Sequence, residues 1–167
     1  MVKAIDYAVQ NGADVINNSW NVNTNCQPIY SAIQDITRSG GIGRNGKGCI
    51  LCCSTGNTVI GGLATYPSVY SEVIAVGAVQ DNDRVWYYSG NGLNLDIVAP
   101  SGNINLEGDL WTTDVTGIDG FNSRNRDILD YTDKMGGTSG ACSIVSGVAA
   151  LVLSIDPFLT NIEVQDI

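Results

Sequence analysis

Apolar residues follow two patterns along the chain, one with the spacing of a helix face and one of short unbroken runs. Four stretches have helical spacing and are predicted helices: 2–11, 28–39, 138–155 and 160–167. Four runs are predicted strands: 14–20, 49–54, 73–79 and 95–100. The run at 14–20 starts apolar and ends polar, as a parallel strand does when it reaches the carboxyl edge of its sheet.

The order of these elements predicts the fold class. Strands and helices alternate, which is typical of a three-layer α/β domain with a mostly parallel sheet flanked by helices. The runs at 49–54 and 73–79 are apolar throughout, as central strands buried on both faces are. Because ligand groups collect beyond the carboxyl ends of such strands, we expect functional residues directly after the predicted strands.

Periodicity fades between Gly102 and Lys134, where acidic residues are frequent. The acidic residues are Glu107, Asp109, Asp114, Asp119, Asp127, Asp130 and Asp133. A solvent-exposed acidic insertion at about 103–134 explains this stretch, and a structural calcium site built from carboxylate oxygens is the alternative. The spacing matches no EF-hand loop, so no residue is assigned as a metal ligand.

Charge and length narrow the classes of partner. Eight Lys and Arg residues against 17 Asp and Glu residues give a net charge of −9, which argues against binding nucleic acid or an anionic membrane surface. No unbroken apolar run reaches the roughly 18 residues of a membrane span, so no transmembrane helix is expected. The amino-terminal residues lack the pattern of a signal peptide, and the sequence assigns no compartment.

The chain contains no histidine, which excludes an imidazole base, acid or zinc ligand supplied by these 167 residues. It contains five cysteines: Cys26, Cys49, Cys52, Cys53 and Cys142. The spacing of Cys49, Cys52 and Cys53 is compatible with a dithiol or a metal site. Because these residues lie in an unbroken apolar run without a second ligand pair, we interpret them as side chains of a buried strand.

Ser139 is the first candidate for chemistry. The sequence GGTSGA at 136–141 places it in the first turn of an apolar-faced helix, where free backbone N–H groups and the helix dipole favour negative charge. A hydroxyl at this position is either a helix cap or a nucleophile. These residues alone favour the cap.

A resemblance to a known family reverses that preference. The segment 137–151, GTSGACSIVSGVAAL, resembles the nucleophile segment of subtilisin-like serine proteases, the subtilases. The segment 14–20 resembles the substrate-lining strand of the same family, and the segment 53–57 resembles its oxyanion segment. The three segments follow each other along the chain in the order that the family has. The blocks extend over nearly the whole chain, so residues 1–167 are identified as the carboxyl-terminal part of a subtilisin-like catalytic domain, which is therefore incomplete.

The resemblance implies a role for each matching residue. Ser139 would attack a scissile peptide carbonyl and form an acyl-enzyme, and Asn57 would donate its side-chain amide to the oxyanion. An extended peptide would lie between two backbone rails and reach a pocket with Thr65 near its floor. The rails are Ser19, Trp20 and Asn21 on one side and Ser54, Thr55 and Gly56 on the other. No acidic residue lies among them, which favours a neutral or apolar P1 side chain.

Some positions depart from the family pattern. Asn21 stands where a glycine commonly follows the rail, and this narrows the allowed backbone angles. Ser143 stands where the family usually has proline, and Gly140 where it commonly has a larger side chain. Tyr66-Pro67 resembles a family site with a cis peptide bond, although the trans form is favoured for X-Pro bonds in general.

The family triad also needs an aspartate and a histidine, in that order, before the serine. We expect both to precede Met1, so that this chain is an internal fragment, inactive alone, of a serine endopeptidase that acts on polypeptides without a cofactor. The alternative is a pseudoprotease, a peptide-binding or assembly module that no longer catalyses. Uncovered surfaces of a fragment predict self-association. Family members are often secreted, but the compartment of this protein stays open.

Overall fold

A computed structural model of the chain describes residues 1–58, 62–104, 110–122 and 129–167. Its helices are α1 Val2–Gln10, α2 Gln27–Thr37, α3 Gly137–Ile155 and α4 Asn161–Gln165, with a short 3₁₀ turn at Gly43–Gly46. Its strands are β1 Val15–Asn18, β2 Ile50–Ser54, β3 Ile74–Val79, β4 Ile97–Pro100, β5 Leu110–Thr113 and β6 Tyr131–Met135. Each predicted helix and strand is present, within a few residues of its expected bounds.

The strands β1 to β4 form one parallel sheet in chain order. The strand β2 is buried along its whole length because its alternate side chains face two different cores. Ile50 and Cys52 face the core under α3, whereas Leu51 and Cys53 face the core under α1 and α2. Helices therefore cover both faces of the sheet, and the predicted three-layer α/β fold is confirmed.

The cysteines of the predicted strand are core side chains. Cys52 faces the α3 side of the sheet, and Cys49 and Cys53 face the other side, so these residues do not form one cluster. All five cysteines are free thiols. Burial raises the pKa of the Cys142 thiol to about 12, so this thiol is protonated at neutral pH. The interpretation of this run as a buried strand is confirmed.

The strands β5 and β6 form a separate two-stranded antiparallel sheet that the sequence did not predict. They lie in the stretch that we interpreted as an exposed acidic insertion. Most of their residues are exposed, so neither strand shows the alternation that marks a half-buried strand. Of the acidic residues, Glu107, Asp109 and Asp127 lie outside the described residues, so the bounds of the insertion stay a prediction.

The helix α3 is the one helix within the described ranges that is long and apolar enough to cross a membrane by composition alone, with a mean hydropathy of 1.8. The sequence criterion of an unbroken apolar run did not single out this helix, because Gly, Ser and Thr interrupt its apolar residues. In the structure α3 packs on the sheet through Ala141, Val145 and Ala149. A core helix passes the same test, and this packing accounts for its small and apolar residues.

Candidate active site

The first turn of α3 carries Ser139 at the carboxyl edge of the parallel sheet. Gly137 starts the helix with φ +72°, a left-handed conformation that glycine adopts at low cost. Its N–H donates to the carbonyl of Gly102, and its own carbonyl accepts from Ser101 Oγ at 2.6 Å. Since Ser101 and Gly102 directly follow β4, the end of that strand holds the helix start in place.

Ser139 itself is half-buried. Its carbonyl accepts hydrogen bonds from Ser143 Oγ at 3.0 Å and, more weakly, from Ser19 Oγ at 3.5 Å. Within the described part of the chain, neither the Ser139 hydroxyl nor its backbone N–H has a hydrogen-bond partner. Both groups are therefore available at the positive end of the α3 dipole.

Asn57 lies beside this turn and is exposed. Its Oδ1 accepts from the Thr138 N–H at 2.9 Å and from Thr138 Oγ1 at 3.0 Å. A backbone N–H only donates, so the oxygen of the amide must face Thr138, and this fixes the orientation of the side chain. The Nδ2 end then lies by Gly137, where an added Cβ would come within 2.7 Å of it. Asn57 thus presents an N–H₂ donor beside Gly137, two residues before Ser139.

Thr138 is a residue that the sequence analysis missed. It is buried, and its hydroxyl donates to Asn57 while it accepts from the Gly56 N–H at 3.2 Å. One side chain therefore ties the loop after β2 to the start of α3. Its position directly before Ser139 could have indicated this role, since the side chain of a residue at a helix start can hydrogen-bond and orient its neighbours. A functional position for Ser101 could also have been predicted, because Ser101 directly follows a predicted strand.

The residues of the two predicted rails come together. The first rail, residues 19–21, contacts α3 through Ser19 and contacts the second rail, residues 54–56, through Asn21. Asn21 Nδ2 donates to the Ser54 carbonyl at 2.9 Å. The side chain of Trp20, by contrast, packs against the core under α1 and α2, so only its backbone belongs to the rail.

Thr65 lies against the second rail. The Thr65 N–H and Oγ1 both donate to the Thr55 carbonyl, at 3.1 and 3.3 Å. Gly56 has φ +97°, and an added Cβ there would lie 2.8 Å from Thr65 Oγ1. A glycine is therefore required at this point of the rail by both conformation and space. The neighbouring Tyr66-Pro67 peptide bond is cis, as the family resemblance implied.

Gly140 departs from the family pattern for a packing reason. A Cβ at this position would lie 2.7 Å from Leu110 Cδ1 and 2.9 Å from Ser101 Oγ. Leu110 belongs to β5, so the unpredicted two-stranded sheet packs against the first turn of α3. A cavity of about 250 Å³ lies here, lined by Leu110, Trp111, Thr112, Met135, Gly140, Ser143 and Ile144.

The described residues contain no cluster of metal-ligating acidic, histidine or cysteine side chains. They include no group of three His, Cys, Asp or Glu side chains that could hold a metal ion. The carboxylate of Asp114 accepts backbone N–H groups of Asn122 and Val115, which lower its pKa. The expected site in the acidic insertion rests partly on residues outside the described ranges.

Comparison with known protein families and sequences relates the chain to proteases. The model of the Subtilase family matches residues 1–167. The chain is 38% identical to a calcium-dependent protease of Trichormus variabilis. The match covers 96% of the chain but only 27% of the length of that relative. It is 29% identical to subtilisin E of Bacillus subtilis, over 99% of the chain and 37% of the relative.

Solved structures agree at the level of the fold. A cold adapted subtilisin-like serine proteinase superposes with a TM-score of 0.71 at 22% identity, covering 99% of the chain and 51% of that protein. The Prenylagaramide maturation protease PagA superposes with a TM-score of 0.70 at 28% identity, covering 98% and 52%. The chain therefore corresponds to about half of each solved structure.

Proposed function

The chain belongs to the subtilase family, and from that premise we propose that it supplies the nucleophile and the oxyanion-binding groups of a serine endopeptidase. Ser139 Oγ adds to the carbonyl carbon of a peptide bond and gives its proton to a base. The C–N bond then breaks, the amine leaves with that proton, and water later hydrolyses the acyl-enzyme.

The observation that carries this proposal is the anchoring of Asn57. Thr138 holds the amide through its oxygen, so Nδ2 is left to donate to an oxyanion formed at Ser139. The Ser139 N–H supplies a second donor from the helix start. Donors fixed before the reaction stabilise developing charge without reorganisation, which is the usual source of the largest catalytic effect.

The base must come from another segment, because the chain has no histidine. We propose that a histidine, oriented by an aspartate, completes the site in the whole protein. Loss of the triad base in subtilisin lowers turnover by about a millionfold, so the chain alone is expected to be inactive. The missing histidine also favours the second candidate function, a module that binds peptides in the same cleft without catalysis.

A fluorophosphonate probe tests the proposal in a polypeptide that joins this chain to a subtilase segment bearing the histidine and the aspartate. We expect labelling that Ser139→Ala abolishes and that Ser143→Ala, one helical turn later, leaves in place. Peptide binding without any labelling of the joined polypeptide would support the binding module instead.

The remaining partners follow from charge and exposure. The substrate class is polypeptide, and the net charge of −9 disfavours nucleic acid and anionic membrane surfaces. We propose self-association through exposed apolar residues of α3.

The name of the calcium-dependent relatives supports a structural calcium ion in the whole protein, held by the acidic insertion, but no step of the chemistry uses it.

A further inference from the structure

We propose that the side chain of Asn21 restricts the P1 residue of the substrate to small side chains such as alanine or serine. It does so by closing the space between the two rails, which we call the P1 slot. The inference rests on the proposed function, because P1 is defined by a peptide bound for attack by Ser139. It adds a substrate class to that function.

The position of the Asn21 amide carries the inference. Its Nδ2 lies 2.9 Å from the Ser54 carbonyl on the opposite rail. Its Oδ1 lies 3.6 Å from the point that a Cβ on Gly56 would occupy. The amide therefore extends along the second rail from Ser54 to Gly56. A glycine in place of Asn21 would leave this space empty.

A bound peptide needs the same space. When an extended peptide pairs with both rails, its P1 side chain enters between them, because alternate side chains of a strand point to opposite faces. Asn21 and the incoming side chain then meet in the P1 slot. The methyl group of alanine leaves the amide in place, whereas an aromatic ring requires the amide to move and the hydrogen bond to Ser54 to break.

The far side of the slot is closed as well. Thr65 Oγ1 lies 2.8 Å from the Cβ point of Gly56 and is held by the Thr55 carbonyl. A large side chain that displaced Asn21 would next meet Thr65. The groups that bound the slot are uncharged, so a lysine or arginine at P1 finds no carboxylate partner. Size and charge therefore both favour small neutral residues.

Four-residue peptides that differ only in their carboxyl-terminal residue, alanine, phenylalanine or lysine, test the inference by NMR titration of the whole chain. We expect the alanine peptide to bind more tightly than the phenylalanine peptide. Asn21→Ala, which empties the slot but keeps a Cβ, should raise the phenylalanine-to-alanine affinity ratio by about tenfold or more, the effect of one or more methylene groups in a pocket. Asn21→Gly should do the same.

Asn23→Gly is the matched control, because it places a glycine in the same loop at another exposed asparagine. We expect it to leave the ratio unchanged. A wild-type preference for phenylalanine, or a ratio that Asn21→Ala does not change, would overturn the inference and leave the proposed function intact. If no peptide binds at all, the peptide cleft of the proposed function fails, and this inference fails with it.

Discussion

Asn57 links the local structure of the site to its proposed chemistry. Its Oδ1 accepts two hydrogen bonds from Thr138, and these bonds hold the loop after β2 against the first turn of α3. The same bonds orient Nδ2 toward Gly137 in that turn. An amide is the group that meets both needs, because it combines an acceptor at one end with a donor at the other.

Replacing Asn57 by leucine should therefore slow acylation in the joined polypeptide. We expect kcat to fall by about a hundredfold or more with little change in KM, the size known for the loss of one oxyanion-hole donor in subtilisin. Steady-state hydrolysis of a peptide substrate measures the effect.

Asn57→Asp serves as the control for that experiment. It keeps an acceptor for the Thr138 N–H but has no donor, so we expect it to be as inactive as the leucine variant while it unfolds close to the wild-type temperature. An Asn57→Leu variant with kcat within threefold of wild type would contradict the role of Asn57 in the oxyanion hole.

The sequence was informative about residues that directly follow predicted strands. Asn57 and Thr55 come after β2, and the structure brings both to the carboxyl edge of the sheet, because parallel strands end there. The direction of the Asn21 side chain could not be predicted. It depends on how closely the loops after β1 and β2 approach each other, and no pattern within either loop contains that distance.

Two glycines of α3 differ in whether the structure requires them. At Gly137, φ is +72° and an added Cβ would lie 2.7 Å from Asn57 Nδ2. At Gly147, in the same helix, φ is not positive and nothing lies within 4 Å of an added Cβ. One glycine is required by the site, whereas the other only lowers the intrinsic stability of the helix.

This contrast gives a paired prediction. Gly137→Ala should destabilise the chain by about 1 to 2 kcal/mol through its left-handed backbone alone, and it should also abolish fluorophosphonate labelling of the joined polypeptide by displacing Asn57. Gly147→Ala should stabilise the chain by about 0.5 to 1 kcal/mol. Urea denaturation measures both free energies of unfolding, and a Gly137→Ala variant as stable as wild type would contradict the assignment.

The strands β5 and β6 show where prediction from local pattern ends. Hydrophobic alternation identifies a strand when one of its faces is buried, but most residues of these two strands are exposed. Instead, the side chain of Leu110 lies against Gly140. That contact joins residues far apart in sequence, so neither segment contains a signal for it. The buried strand β2, in contrast, was predictable from its composition alone.

Beside the face of α3 that packs on the sheet, the described fold presents an exposed apolar surface. Ile144, Val148, Leu151 and Ile155 follow each other at helical spacing and are 38%, 52%, 65% and 87% exposed. Contiguous apolar patches of this kind tend to be covered by another surface. The net charge of −9 opposes contact between copies, and salt screens this repulsion.

We therefore predict that the chain self-associates through this helix face, more strongly as salt is added. Sedimentation velocity over a range of protein concentrations measures the association. Leu151→Glu should weaken it, because the carboxylate would have to be desolvated in the contact. Leu93→Glu adds the same charge at a fully exposed leucine outside α3 and should have a much smaller effect. A monomer at every concentration and salt level, or equal effects of the two variants, would exclude this face as the contact.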